Sequence, residues 1–316
     1  MIGRGRKRTL LLAVALGGGA LAVPVASEAQ RARQGLLTLD DARLFYEVVG
    51  EGDPIIVVHG GPGLDHSYLQ PGLDALATRN TLVYYDQRGT GRSVANLDTA
   101  AIAFDKFVDD VEALRQALGF ERVSVLAHSF GALIGLEYAR RYAANLRALI
   151  LMNPVEPGAR FAEQVAERRA GATTAQDSTE LAELRASEGF AARDAAIVSQ
   201  VYRVMFRSTL KDRESIAQLE LDLSPSTAKN GSDVARLLGA GLGSVDWWDR
   251  LAEVQVPTLV LHGRFDLAPM EMSLALSEAL PVGSFQVLDA GHFPYVEDRE
   301  GLQSAISGFL AGLPRR

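Results

Sequence analysis

The sequence predicts an α/β domain with a mostly parallel central sheet, helices on both faces and an inserted helical cap. Three observations carry this reading. Short apolar, β-rich runs recur along the chain at 55–58, 82–85, 123–126, 149–152, 259–261 and 285–288, each the length of a strand buried on both faces. Segments of helical periodicity lie between them at 107–118, 132–142, 270–280 and 297–310, which is the alternation that builds a covered parallel sheet. From about Gly158 to Arg250 the rhythm changes to charged, helix-periodic sequence without a buried strand.

The elements follow in chain order. Residues 37–49 read as an opening antiparallel pair turning at Asp40-Asp41, and Gly119 stands at the C-cap position of the helix before it. Within the insertion, Glu163 to Arg169 marks one helix, Ala195–Phe206 a second and Ser232–Leu238 a third, with Ser224-Pro225 and Asn230-Gly231 as breakers. Pro257 begins the return to the sheet. The core is therefore expected at 36–156 and 251–313 and the cap at 157–250.

The first 29 residues stand apart. Arg4, Arg6, Lys7 and Arg8 precede a short apolar run from Leu10 to Val25, and Ser27 and Ala29 occupy the −3 and −1 positions of a cleavage site, the pattern of a secretory signal peptide. The run holds three glycines and Pro24 and is shorter than a spanning helix needs. The expectation is a periplasmic or secreted protein cleaved near Ala29. Cleavage would leave 28 basic and 38 acidic residues and a charge of −10, against −7 for the full chain.

Composition removes several functions. Hydrophobic residues make up 47% and charged residues 22% of the 316, which excludes a disordered or polytopic membrane protein. The acidic balance and the lack of a basic cluster argue against nucleic acid as a partner. The absence of cysteine rules out disulfides and thiolate chemistry, and five histidines without paired spacing suggest no metal. Gly89-Thr90-Gly91 lacks the rest of a dinucleotide fingerprint, so no cofactor is expected. A small-molecule or short-peptide substrate is the expected partner.

The strand at 123–126 runs through Ala127-His128-Ser129-Phe130-Gly131 directly into a helix, the context of a nucleophile elbow. Small residues on either side of Ser129 suit so tight a turn; Ala127 stands where glycine is usual. A serine hydroxyl needs a base, and a histidine base needs a carboxylate to orient it. His292 follows the strand at 285–288, and Asp266 follows the strand at 259–261; both leave strand C-termini, where such sheets place their sites. Glu156, after the strand at 149–152, is an alternative acid. An oxyanion hole needs two N–H donors: Phe130 and, in the loop His59-Gly60-Gly61-Pro62-Gly63, Gly61. His128 is a candidate pocket residue, whereas His59, His66 and His262 read as structural.

Together His59-Gly60-Gly61-Pro62-Gly63, Asp86-Gln87-Arg88-Gly89-Thr90-Gly91-Arg92-Ser93, the Ser129 elbow, Asp266 and Gly291-His292-Phe293-Pro294 resemble the proline iminopeptidase branch of the α/β-hydrolase superfamily over about 36–156 and 251–313. The resemblance implies the α/β-hydrolase fold, a cofactor-free serine hydrolase releasing an N-terminal residue from peptides, and a cis Gly61-Pro62 bond. In that family cap glutamates within aromatic-rich motifs hold the substrate ammonium; the Trp-x-x-Trp-Glu type of segment is absent here, and Trp247-Trp248 is a different arrangement. Glu220 and Asp222, set between Leu219, Leu221 and Leu223, are the preferred ammonium-binding pair. Two other readings stay open: a carboxylesterase or other small-molecule ester or amide hydrolase, and a non-catalytic binding protein on a hydrolase fold.

Overall fold

The computed structural model describes residues 33–242 and 246–314; the signal peptide expected at 1–29 lies outside them. Nine strands, β1 (Arg33–Thr38), β2 (Ala42–Val49), β3 (Asp53–Val58), β4 (Asn80–Tyr85), β5 (Val94–Ala95), β6 (Val123–His128), β7 (Leu146–Met152), β8 (Thr258–Gly263) and β9 (Gly283–Leu288), form one sheet. Its order is β1-β2-β4-β3-β6-β7-β8-β9, with β5 paired to β2. Pairing is parallel from β4 through β9 and antiparallel among β1, β2, β4 and β5. Adjacent strands are thus mostly linked by helical crossovers, as parallel pairing requires.

Alternating side chains of each strand feed two cores. Ile56, Val58, Val125 and Leu151 join Phe107 and Val111 of α1 (Phe104–Ala117), Leu133 of α2 (Gly131–Arg141) and Leu276 of α7 (Met270–Ala279) on one face. Ile55, Val57, Leu126 and Ile150 join Leu69, Leu73 and, from α8 (Arg299–Gly312), Ile306 and Leu310 on the other. The helix read from the sequence at 297–310 is interrupted at Asp298, whose carboxylate caps α8 through the Gly301 N–H at 3.1 Å.

Between β7 and β8 the chain forms α3 (Phe161–Ala172), α4 (Ala175–Ala186), α5 (Ala195–Arg207) and α6 (Pro225–Leu242). The α4 helix has no counterpart in the sequence reading because its exposed residues show little apolar periodicity; a capping box between Thr174 and Asp177 starts it. The expected Asn230-Gly231 breaker is also incorrect. The α6 helix runs straight through it, and the glycine is required because a side chain there would lie 2.2 Å from the Gly63 carbonyl oxygen. Glycine is there for contact, not for a turn. Val234 and Leu238 of α6 are fully buried in the first core, so this last helix of the insertion is packed as part of the main domain. Trp247 and Trp248 close its base, with the Trp247 N–H on the Pro157 carbonyl at 2.8 Å and the Trp248 ring beside Gly158. Among the described residues no helix is long and apolar enough to cross a membrane.

Candidate active site

Ser129 sits between β6 and α2 with φ at +54°, a left-handed conformation that costs a non-glycine residue about 1 kcal/mol or more and is held by its surroundings. Three backbone bonds fix it: its N–H to Met152 O, and the Ala132 and Val155 N–H groups to its carbonyl, all at 3.0 Å. The neighbouring backbones are close. A Cβ on Gly131 would meet Val58 O at 2.6 Å, and one on Gly60 would meet Ser129 Cβ at 2.8 Å. Ala127 is accommodated where glycine is usual because Gly135, one turn into α2, leaves room for its methyl group.

His292 is brought to Ser129 from the loop after β9. Its Nε2 lies 3.0 Å from Ser129 Oγ, and its Nδ1 lies 2.7 Å from Asp266 Oδ2. Burial disfavours the charge of Asp266, but His292 and a 2.6 Å bond from Asn153 Nδ2 outweigh it and hold the carboxyl down at about 2. An ionised Asp266 can only accept, so Nδ1 of His292 carries the proton and Nε2 accepts from the Ser129 hydroxyl. Glu156, the other acid considered, is elsewhere. It bonds Ser273 at 2.8 Å, and Ser273 bonds His262; burial, with Asp266 nearby, raises its carboxyl to about 8, so it is neutral at pH 7.

The glycine loop after β3 adjoins the elbow. A cis peptide joins Gly61 to Pro62, and among the described residues neither the Gly61 nor the Phe130 N–H has an acceptor. The loop is braced by the Asp86–Ser93 segment, a role the sequence did not reveal. The Gln87 N–H donates to His59 Nε2 at 3.0 Å, and Gln87 Nε2 donates to His59 O at 2.7 Å. Arg88, 1% exposed, forks onto Asp110 of α1 at 2.6 and 2.9 Å, the bidentate geometry that suits a buried guanidinium.

His128 is not a pocket residue. It is 1% exposed and both ring nitrogens are engaged: Nδ1 by Tyr68 Oη at 2.8 Å, Nε2 by the His292 carbonyl at 3.0 Å. Tyr68 Oη in turn accepts the Gly60 N–H at 2.7 Å. Every proton in this chain is therefore assigned: Gly60 N–H to Tyr68, Tyr68 O–H to His128 Nδ1, and His128 Nε2–H to His292 O. Burial and the neighbouring His292 push the His128 pKa down to about 3, consistent with a permanently neutral ring. Tyr68 carried no sequence signal, since a lone tyrosine in a loop belongs to no motif.

The insertion reaches this centre through backbone. The His292 N–H donates to Thr209 O at 2.8 Å, and the Glu297 carboxylate accepts from Gly291 N at 2.7 Å, Asp212 N at 2.8 Å and Lys211 N at 3.1 Å. Glu220 and Asp222 are not brought to Ser129. Both are exposed while Leu219, Leu221 and Leu223 are buried, so the alternation that singled them out points them away from the protein, and Asp222 pairs with Arg203 at 2.9 Å. The half-buried or buried acids of the insertion, Asp177, Glu180 and Asp233, are likewise committed to arginines.

The alpha/beta hydrolase fold family model matches residues 53–299. A proline iminopeptidase of Heyndrickxia coagulans is 28% identical over 289 residues, covering 88% of this chain and 98% of that protein. Among solved structures, a proline iminopeptidase-related protein of Thermus thermophilus aligns with a TM-score of 0.65 and 29% identity over 90% of this chain and 98% of its own. An esterase of Thermogutta terrifontis aligns with a TM-score of 0.65 and 26% identity over 88% and 98%. With strand order, elbow and family model in agreement over most of its length, the chain belongs to the alpha/beta hydrolase fold family.

Proposed function

We propose that the protein is a serine hydrolase that opens peptide or ester bonds through an acyl-enzyme, with Ser129 as nucleophile, His292 as base and Asp266 as its orienting acid. The observation that carries this is the continuous hydrogen-bonded line Ser129 Oγ, His292 Nε2, His292 Nδ1, Asp266 Oδ2 at 3.0 and 2.7 Å. In that line His292 takes the Ser129 proton as Oγ attacks the substrate carbonyl. The Phe130 and Gly61 N–H groups, at the positive end of α2 and in the adjoining loop, are the donors for the oxyanion. His292 returns the proton to the leaving amine or alcohol, then activates the water that releases the acyl group. An ionised Asp266 stabilises the imidazolium in both half-reactions.

Release of an N-terminal residue in the manner of a proline iminopeptidase is the first reading, supported by relatives that carry that name over nearly their whole length. Carboxylester hydrolysis is the second, and one observation favours it: the acids of the insertion are exposed or paired with arginines, so none is free inside the protein for a substrate ammonium. The N-terminal segment supports an exported enzyme.

A fluorophosphonate probe is expected to label wild-type protein at Ser129, and Ser129→Ala to abolish both labelling and turnover. Asp266→Asn should lower kcat by about 10³-fold or more, whereas Glu156→Gln should leave it within a few-fold; the opposite ranking would transfer the acid role to Glu156. Proline 4-nitroanilide against its N-acetyl counterpart, run beside 4-nitrophenyl acetate, decides between the two substrate readings. Equal rates on free and acetylated amine would remove the aminopeptidase.

A further inference from the structure

Four half-buried arginines of the insertion, Arg193, Arg203, Arg207 and Arg213, each rest on a carboxylate, at 2.6, 2.9, 2.5 and 2.5 Å. Arg169 of α3 does not. It is half-buried, and among the described residues its guanidinium makes one hydrogen bond, from Nη1 to the Met205 carbonyl, at 3.0 Å. Five donors in a planar fork are more than one carbonyl needs, and a guanidinium withdrawn from water without a counter-charge is costly.

Its position is fixed from two sides. Next to it on α3, Arg168 bridges to Glu271 at 3.2 Å, which ties this part of α3 to α7, the helix that follows the Asp266 loop. Met205, which Arg169 holds, lies in the last turn of α5; Phe206 then packs edge-on against Phe293, with ring centroids 5.1 Å apart, and Thr209 accepts the His292 N–H. Arg169 is thus bonded to the segment that leads to the acceptor of the His292 N–H, and its neighbour Arg168 ties the same turn of α3 to the helix after Asp266. Burial lowers its pKa, and Asp266 is the charge that acts against that shift, but Asp266 is committed to His292 and Asn153. Glu156, the other acid near Asp266, is neutral at pH 7.

We infer that Arg169 is a specificity residue that binds a free carboxylate on the substrate. This rests on the hydrolase reading above and deepens it. The carboxylate can belong to the leaving group, as the C-terminus of a dipeptide, or to the acyl group, as the free acid of a dicarboxylic half-ester. The shared chemistry is an anion held by a half-buried guanidinium, where a charge-assisted pair is stronger than in open water.

Matched substrates test both sources. Prolyl-glycine against prolyl-glycinamide varies the leaving side; mono-4-nitrophenyl adipate against 4-nitrophenyl hexanoate varies the acyl side. The wild type is expected to prefer the acid in one of the two pairs by at least about tenfold in kcat/KM, through KM. Arg169→Gln, whose amide can still donate to Met205 O, should remove that preference while changing the neutral substrate less than about threefold. Acid and neutral substrates within twofold of each other in both pairs, or a preference that survives Arg169→Gln, would overturn the assignment while turnover of the neutral ester keeps the hydrolase reading intact. A folded wild-type protein that neither hydrolyses the neutral ester nor reacts with the fluorophosphonate would overturn both.

Discussion

Asp266 and Glu156 are two buried carboxyls within reach of each other's charge, and their surroundings drive them in opposite directions. Asp266 accepts from His292 and Asn153 and stays ionised; Glu156 has a single partner, Ser273, against full burial and is neutral until about pH 8. This makes Glu156 a pH-dependent element of stability. The unfolded chain loses this proton near 4.5 while the folded chain keeps it to about 8, so the contribution is complete below about 4.5, declines as the pH rises above that, and is gone once the pH has passed 8. Glu156→Gln should therefore gain on the wild type by a few kcal/mol between pH 5 and 8 in denaturant titrations; parallel curves for the two proteins would show that the carboxyl is ionised in the folded state. The sequence favours Asp266 and keeps Glu156 as the alternative, because both follow strand C-termini. What separates them is which loop turns toward His292, a long-range fact that no local pattern encodes.

At the scale of elements, the contact between α6 and the glycine loop ties the insertion to the site. Gly231 and Gly63 touch through backbone, and Thr227 Oγ1, one helical turn earlier on the same face, donates to Asp65 at 2.5 Å while accepting the Gly91 N–H at 2.9 Å. Gly231→Ala should destabilise the protein by about 1–3 kcal/mol, although alanine favours the helix by about 1 kcal/mol, and it should lower kcat as Gly63 is pushed back along the loop that holds Gly61. A stabilised or unchanged midpoint would mean the two backbones separate without cost. The sheet was legible because strands buried on both faces are written as unbroken apolar runs, and the elbow was legible because its small residues have a steric reason. The insertion was less so. Its first helices, α3 and α4, are mostly exposed, the Asn-Gly pair in α6 mimics a turn, and the alternation of Leu219, Leu221 and Leu223 with Glu220 and Asp222 located the buried leucines correctly but said nothing of which acids face the site.

For the whole molecule, the peptide groups around His292 are where the halves of the chain meet. Its N–H is held by Thr209 of the insertion, its carbonyl by His128 of β6, and the preceding Gly291 N–H shares the Glu297 carboxylate with Lys211 and Asp212. Glu297→Gln, which offers one acceptor oxygen in place of two, should speed amide exchange at Gly291, Lys211 and Asp212 together and lower kcat about tenfold or less with little change in KM. Faster exchange at 211 and 212 alone would show that the His292 loop is held independently. Insertions of this kind are natural targets for grafting, since swapping one for another promises a new specificity on an old catalyst. Here the graft would carry away the acceptor of the His292 N–H and two of the three donors on Glu297. A chimera that keeps Thr209 to Asp212 from this protein and exchanges only the helices before them should remain an enzyme; one cut at the ends of the insertion would inherit a pocket and lose its base.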